Sequence, residues 1–351
     1  MGRLAHARAH VLAIATRLRS GVRARVVTVT VNDRPLAFAV ERQSSDPIQD
    51  ALVRGQFPSD AVKELWLHFM SAADGPSSTN VIDVGAHLGT FSLPAAAAGA
   101  SVVAIEASST NAALLSLAAK ANRLHNMKVV EAVAAGGPGT TSFIALGPYG
   151  HVASAAESAT GEGLARNVRT IALDELVHML GWSRVDFVKI DVEGSELDVL
   201  RGMTALFDPT SSPVIFIEAN AHMLAHYGQA PRDVLRELEA HRFDTYLIDP
   251  TAPGVLVPMG SDDMQTECVA DYVAFRTMPE LGSWRIGSPL DREELVERVI
   301  RTTETADPDH IHRSYGEGLI SAGPSWLKGH DAIRALRDRL EGRPRGDGRQ
   351  P

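Results

Sequence analysis

A single cysteine, Cys268, rules out an intramolecular disulfide and a cysteine-rich metal site. That agrees with a reducing compartment, and the expected location is cytoplasmic. No apolar run approaches the roughly 20 residues of a membrane-spanning helix. The alanine run at Ala95–Ala98 belongs to a helix or a core. Aromatic residues make up only 5%, too sparse for a base-stacking platform on single-stranded nucleic acid. Positive charge is also in deficit. A net charge of −9 excludes binding by phosphate neutralisation. What remains is ordinary for a soluble globular chain, with 44% hydrophobic and 22% charged residues. At 351 residues, one large domain with extensions is expected.

The informative stretch runs from Val81 to Ser108, VIDVGAHLGTFSLPAAAAGASVVAIEAS. Val81, Ile82 and Val84 suit a strand buried on both faces. Gly85 and Gly89 flank a tight turn. A helix over Thr90–Ala98 points its free N–H groups back at that turn. Ser101–Ile105 is a second strand, with Glu106 at its C-terminal end. Ligands of an open parallel sheet sit outside the carboxyl ends of the strands. An acid about 20 residues past the glycines is placed to accept two ribose hydroxyls.

The turn is not a dinucleotide fingerprint. His87 stands where the second glycine of that motif would let a pyrophosphate approach. Asp83 would face the phosphates with like charge. An acid there suits a cationic amino-acid moiety, which points to S-adenosylmethionine in preference to NAD. Glycines used only for strand–helix packing are the bland alternative.

Along the chain, residues 1–25 hold six arginines and no acid, interleaved with apolar residues. They read as a basic amphipathic helix, either a solvated surface element or a contact for an anionic membrane surface or acidic partner. Residues 26–75 read as an extension. It comprises a β-hairpin over Val26–Val40 turning at Asn32-Asp33, helix over Asp46–Met70 with a start at Pro58-Ser59-Asp60, and a linker over Ser71–Thr79. Residues 76–277 read as the main domain. Strands are expected at Met127–Ala135, Val168–Leu173, Val185–Ile190, Val214–Ile217 and Phe243–Ile248, with a last, antiparallel one at Val269–Phe275. Asp174 is expected to cap a helix through Leu180, and Pro231 to open another. Gly147–Asn167 reads as a mobile loop carrying His151 and Ser154. Residues 278–351 form a partly helical extension with a disordered tail. The alternation of strands and helices makes the fold class α/β, a doubly wound Rossmann-like sheet of seven mostly parallel strands.

Three strands end in acids, at Glu106, Asp191 and Glu218, and their ends should share one rim. VDFVKIDVEGSE sets Lys189, Asp191, Glu193 and Glu196 around one strand-to-helix turn. A core strand rarely carries a lysine and an acid unless they pair or serve a site. One reading is a geometry-fixing pair of Lys189 with Asp191 or Glu218. The other is that Asp191, Glu193 or Glu218 orients and deprotonates an acceptor hydroxyl, with His222 as a further candidate base. Asp191 and Glu218 could also share a divalent metal, though nothing in the spacing demands one.

VIDVGAHLGTFSL, the acid of VVAIEAS, RTIALDEL, VDFVKIDVEGSELDVLRGM and VIFIEAN occur in this order over Gln56–Phe275. In this the chain resembles the FkbM family of S-adenosylmethionine-dependent methyltransferases. The resemblance implies a class I methyltransferase fold and O-methylation of a hydroxyl on a small molecule, sugar or glycan. It implies that Asp83, Gly85, His87 and Gly89 line the methionine part of the cofactor, with Ala86, Thr90 and Phe91 beside them. Glu106 takes the ribose, flanked by Ala107, Ser108 and Asn111. Ala132 and Val133 lie near the adenine, and Asp191 and Glu193 near the transferred methyl. Two rivals remain: an NAD-dependent oxidoreductase, disfavoured by His87, and a non-catalytic methyltransferase-like binding module, disfavoured by the strand-end acids.

Overall fold

The computed structural model describes residues 16–17, 23–44, 46–72, 79–145, 150–154, 165–208, 211–262, 269–289 and 294. These fall into two compact units, one ending at Ala132 and one beginning at Val133.

The first unit opens with β1 (Thr16–Arg17), which pairs antiparallel with β2 (Arg23–Val31). The helix expected over residues 1–25 is therefore corrected at these positions, and its other residues lie outside the described ones. β2 pairs antiparallel with β3 (Arg34–Glu41), and Val31 faces Arg34 across a two-residue turn. Asn32 and Asp33 both sit at positive φ (46° and 59°). That conformation matches the right-handed twist of a hairpin, and Asn and Asp tolerate it best after glycine. The alternation buries Val27, Val29, Val31, Leu36, Phe38 and Val40. A hairpin alone is marginal; this one shares a core with Leu88, Leu93, Leu114 and Leu115.

The helix expected over Asp46–Met70 is two helices, α1 (Pro47–Val53) and α2 (Ala61–Ala72). Gly55, at φ 76°, and Pro58 after it break the run. Asp60 then caps α2, accepting from the Lys63 N–H at 2.8 Å. β4 (Asn80–Val84), α3 (Ser92–Ala98), β5 (Ser101–Glu106), α4 (Ser109–Ala121) and β6 (Met127–Glu131) follow. β5 pairs in parallel with both β4 and β6. β4 and β5 are buried on both faces, which is why they read as unbroken apolar runs. Asn122, just past α4, clamps the hairpin. Its side chain accepts from Ala37 N–H at 2.8 Å and donates to Ala37 C=O at 2.6 Å.

The second unit starts where the third strand was expected to continue. Val133–Ala134 form a separate strand, β7, in a small sheet with β8 (Gly139–Ile144), β9 (His151–Val152) and β10 (Ala165–Ile171), in the order β7-β10-β8-β9. The loop reading of Gly147–Asn167 is thus corrected at both its strands; residues 146–149 and 155–164 lie outside the described ones. α5 (Leu173–Leu180) has Ala172 as its N-cap. Asp174 lies inside the first turn, where its carboxylate accepts from Ala205 N–H and Thr204 Oγ1. β11 (Phe187–Ile190), α6 (Glu196–Arg201), β12 (Val214–Asn220), α7 (Ala221–Ala225), α8 (Pro231–Ala240) and β13 (Asp244–Ile248) continue the alternation. β14 (Val255–Met259), β15 (Val269–Phe275) and β16 (Arg285–Ile286) complete it. β11 and β12 are parallel. β15 inserts antiparallel between β12 and β13, as expected. β14, which was not expected, pairs antiparallel with β13. The helices and tail expected beyond residue 290 lie outside the described residues, Glu294 apart. Among the described residues no helix is long and apolar enough to cross a membrane.

Candidate functional site

In the first unit the candidate site is the turn between β4 and α3. The N–H groups of Gly85 and Ala86 both donate to the Ile105 carbonyl at 3.0 Å, tying the turn to the end of β5. Gly89 has φ 83°, and a Cβ there would stand 2.4 Å from Leu115 Cδ1. Any other residue would be strained at this φ, and its Cβ would have to displace the Leu115 side chain. His87 also adopts positive φ, 49°, without being glycine. Its N–H donates to Glu106 Oε2 at 2.7 Å, and Ser108 N–H donates to Glu106 Oε1 at 2.8 Å. The carboxylate is 6% exposed and oriented by both neighbours. Asp83 is fully buried and accepts a hydrogen bond from Ser92 Oγ, bracing the first turn of α3.

Of the other expected cofactor contacts, Ala86, Thr90 and Asn111 are buried, and Ala107 is half-buried. Ser108 caps α4. Phe91 packs edge-on against Trp66, with ring centroids 5.4 Å apart. Ala132 N–H donates to the Glu106 carbonyl at 3.2 Å. Val133 is buried in the other unit, on β7.

In the second unit the structure brings Asp191, Glu193 and Glu218 together, with one carboxylate oxygen of each within 4.8 Å of the others. Lys189 Nζ, almost fully buried, lies 3.2 Å from Asp191 Oδ2, and the Asp191 side chain is 39% exposed. The expected pair of Lys189 with Asp191 is therefore present. Glu193 is aimed by a left-handed turn, φ 54° followed by 101° at Gly194. A Cβ on Gly194 would meet the Met223 carbonyl oxygen at 2.7 Å and Tyr227 Cε2 at 2.6 Å. Glu218 does not end its strand: β12 continues to Asn220, and Glu218 pairs in register with Asp271 on β15. His222 falls on α7, directly after β12.

Sequence reasoning missed Asn220, whose amide donates to Glu193 Oε2 at 3.1 Å, and Tyr227, whose hydroxyl donates to the Val152 carbonyl. Asn220 closes the VIFIEAN stretch, so its place beside an acid-bearing strand was a usable signal. Tyr227 carried none. His151, expected on a mobile loop, is buried on β9, its ring 6.5 Å from that of His226.

The charges of Asp191, Glu193, Glu196 and Asp271 crowd around Glu218. Burial, then the Asp191 charge, push Glu193 and Glu218 well above the ordinary carboxylate range. They titrate as a group. Glu196 is raised to about 7, chiefly by burial, although Gly194 N–H donates to it at 3.0 Å. Asp191, Glu193 and Glu218 are also close enough to share a divalent cation.

Glu196 offers a test of this electrostatic picture. Its folded pKa of about 7 lies above the ordinary 4.5. Its stabilising contribution is therefore complete below pH 4.5 and lost as pH rises through about 7. Above that, the buried charge costs at most about 3 kcal/mol. Glu196→Gln keeps the Gly194 contact and never ionises. In urea unfolding it is expected to match the wild type near pH 5 and to exceed it near pH 8.5. Parallel stability–pH curves for the two proteins would refute the assignment.

The sequence between these strands is decisive. Residues 83–245 match the methyltransferase FkbM domain. This segment belongs to the FkbM methyltransferase family. Its α/β, Rossmann-like fold is the expected one, and the FkbM segment contains both the glycine turn and the carboxylate group. Hexuronic acid methyltransferase AglP of Haloferax volcanii is 35% identical over 78 residues, 22% of this chain and 29% of AglP. The chain thus aligns with less than a third of that curated relative. Among solved structures, an O-methyltransferase from Bacillus cereus in complex with SAH is 14% identical. That match covers 65% of this chain and 94% of that one, with a TM-score of 0.33. A precorrin-6y C5,15-methyltransferase from Geobacter metallireducens is 14% identical over 61% of this chain and 86% of its own, with a TM-score of 0.34.

Proposed function

We propose that this protein is an S-adenosylmethionine-dependent O-methyltransferase acting on a hydroxyl of a small molecule, sugar or glycan. The observation that carries the reading is the gathering of Asp191, Glu193 and Glu218 inside an FkbM segment. An anionic, proton-accepting group suits a cationic donor and a hydroxyl acceptor. It suits neither a pyrophosphate nor hydride transfer.

The turn fits the nucleoside of the donor. Glu106 is held at the end of β5 by two N–H donors, where an acid of an open parallel sheet accepts ribose hydroxyls. Asp83, Gly85, Ala86, His87, Gly89, Thr90 and Phe91 would hold the methionine part. Ala107, Ser108 and Asn111 would flank the ribose, and Ala132 and Val133 the adenine. When bound, S-adenosylmethionine supplies a methyl carbon activated by a sulfonium. The chain's own task is to hold the acceptor hydroxyl in line and take its proton. Asp191, Glu193, Glu218 and His222 are the candidates for the proton, and Lys189 fixes the Asp191 carboxylate. A divalent metal at Asp191, Glu193 and Glu218 is compatible with this reading and not implied by it.

The hexuronic acid relative favours a sugar acceptor. We assign the methyltransferase domain to residues 76–277. Acceptor contacts fall to residues 147–167 and the chain after Phe275, and contact with an anionic membrane surface or an acidic partner to residues 1–25. The compartment we propose is the cytoplasm.

Parallel calorimetric titration with S-adenosylmethionine, S-adenosylhomocysteine and NAD tests the donor. Micromolar binding of both sulfur compounds and none of NAD is expected, after which sugars can be screened by mass spectrometry for a one-methyl gain. NAD binding alone would overturn the reading in favour of an oxidoreductase.

A further inference from the structure

Asp46 lies 37 residues before the FkbM segment begins at Asp83. It is 2% exposed. Its Oδ1 caps α1, accepting from Ile48 N–H at 2.8 Å and Gln49 N–H at 3.3 Å. Its Oδ2 lies 2.8 Å from His87 Nε2. Burial would raise its pKa, but the adjacent His87 ring and the two N–H donors hold it below the ordinary value. The carboxylate therefore stays ionised at neutral pH.

The mount for this carboxylate is rigid. Gln49, on the first turn of α1, accepts from Glu41 N–H at 2.7 Å, fixing the helix to the end of β3. β3 is held in turn by Asn122. At the other end of the contact, His87 occupies a left-handed conformation. That costs a non-glycine residue about 1–2 kcal/mol and persists only when its surroundings impose it. The same residue's N–H is the one that donates to Glu106.

We infer that Asp46 is a positioning residue for the cofactor: by gripping the His87 ring it holds the turn left-handed, keeping the His87 N–H on Glu106 and that carboxylate aimed at the ribose. This rests on the cofactor reading above. It makes the hairpin-and-helix extension a working part of the donor site. A residue held in place by such support loses precision when the support is removed.

The rival is that Asp46 does nothing but cap α1, and serine separates the two roles. Asp46→Ser still caps a helix but is too short to reach His87. It is expected to keep its melting temperature within about 3 °C while binding S-adenosylmethionine and S-adenosylhomocysteine roughly tenfold more weakly, mid-range for coupled neighbours. His87→Ala is expected to lose a similar factor, and the double variant no more than either single one. Should the serine variant fail to fold, Asp46→Asn, a strong cap of the same size, serves with an expected loss of roughly threefold. Wild-type affinity in a folded Asp46 variant, or single-variant losses that multiply in the double, would overturn the positioning role and leave the cofactor reading standing. A wild-type protein that binds neither sulfur compound would overturn both.

Discussion

Glu106→Ala is expected to lower affinity for S-adenosylmethionine by at least about a hundredfold. Each hydrogen bond from a ribose hydroxyl to a carboxylate is worth about 1.5–3 kcal/mol, and two are lost together. The same change strips the His87 and Ser108 N–H groups of their acceptor. A buried N–H without a partner costs about 1–3 kcal/mol, so the melting temperature should fall too. Calorimetry on the folded fraction, with circular dichroism alongside, separates the effects. Glu106→Gln provides a milder comparison, since its amide keeps one acceptor oxygen but sets an NH₂ against the second N–H. Unchanged affinity in the folded alanine variant would take the ribose away from Glu106.

Asp191→Asn is expected to do the reverse: affinity for the donor holds within about threefold, and turnover falls about 10²–10³-fold, the usual scale of general acid–base catalysis. The assay is methyl transfer to whichever sugar the acceptor screen identifies. Its pH dependence identifies the base. The Asp191 charge helps keep Glu193 and Glu218 above the ordinary carboxylate range. Removing that charge lowers both. If one of them takes the proton, the variant's pH–rate curve moves to lower pH while keeping a plateau; if Asp191 takes it, the plateau itself collapses. Full activity at every pH would remove Asp191 from the reaction.

Local pattern made part of this architecture legible. Val81–Val84 and Ser101–Glu106 stand out because both faces are covered, and Asn32-Asp33 because few residue pairs tolerate that turn. Lys189 with Asp191 was legible because two charges of opposite sign on one face of a core strand have few other uses. What escaped depended on contacts distant in sequence or on competing local signals. A proline is rare inside a strand, yet Pro258 sits within β14 opposite Tyr246. Asp174 looked like a cap, but Ala205 N–H and Thr204 Oγ1, 30 residues away in sequence, claim its carboxylate. Glu218 was read as a strand end because nothing in VIFIEAN reveals that β12 runs on to Asn220. No periodicity links Asp46 to His87, so that contact had to be seen.

The Tyr227 ring bears on anyone who would breed this protein toward new acceptors. It blocks any side chain at Gly194 and donates its hydroxyl to the backbone carbonyl of Val152. Because the acceptor at 152 is main chain, a mutant library can vary the side chain there without cutting the tie. Position 227 offers no such latitude: losing the phenol hydroxyl uncouples β9 from the turn that aims Glu193. Randomisation is best spent on the strand, with the tyrosine and the glycine kept constant.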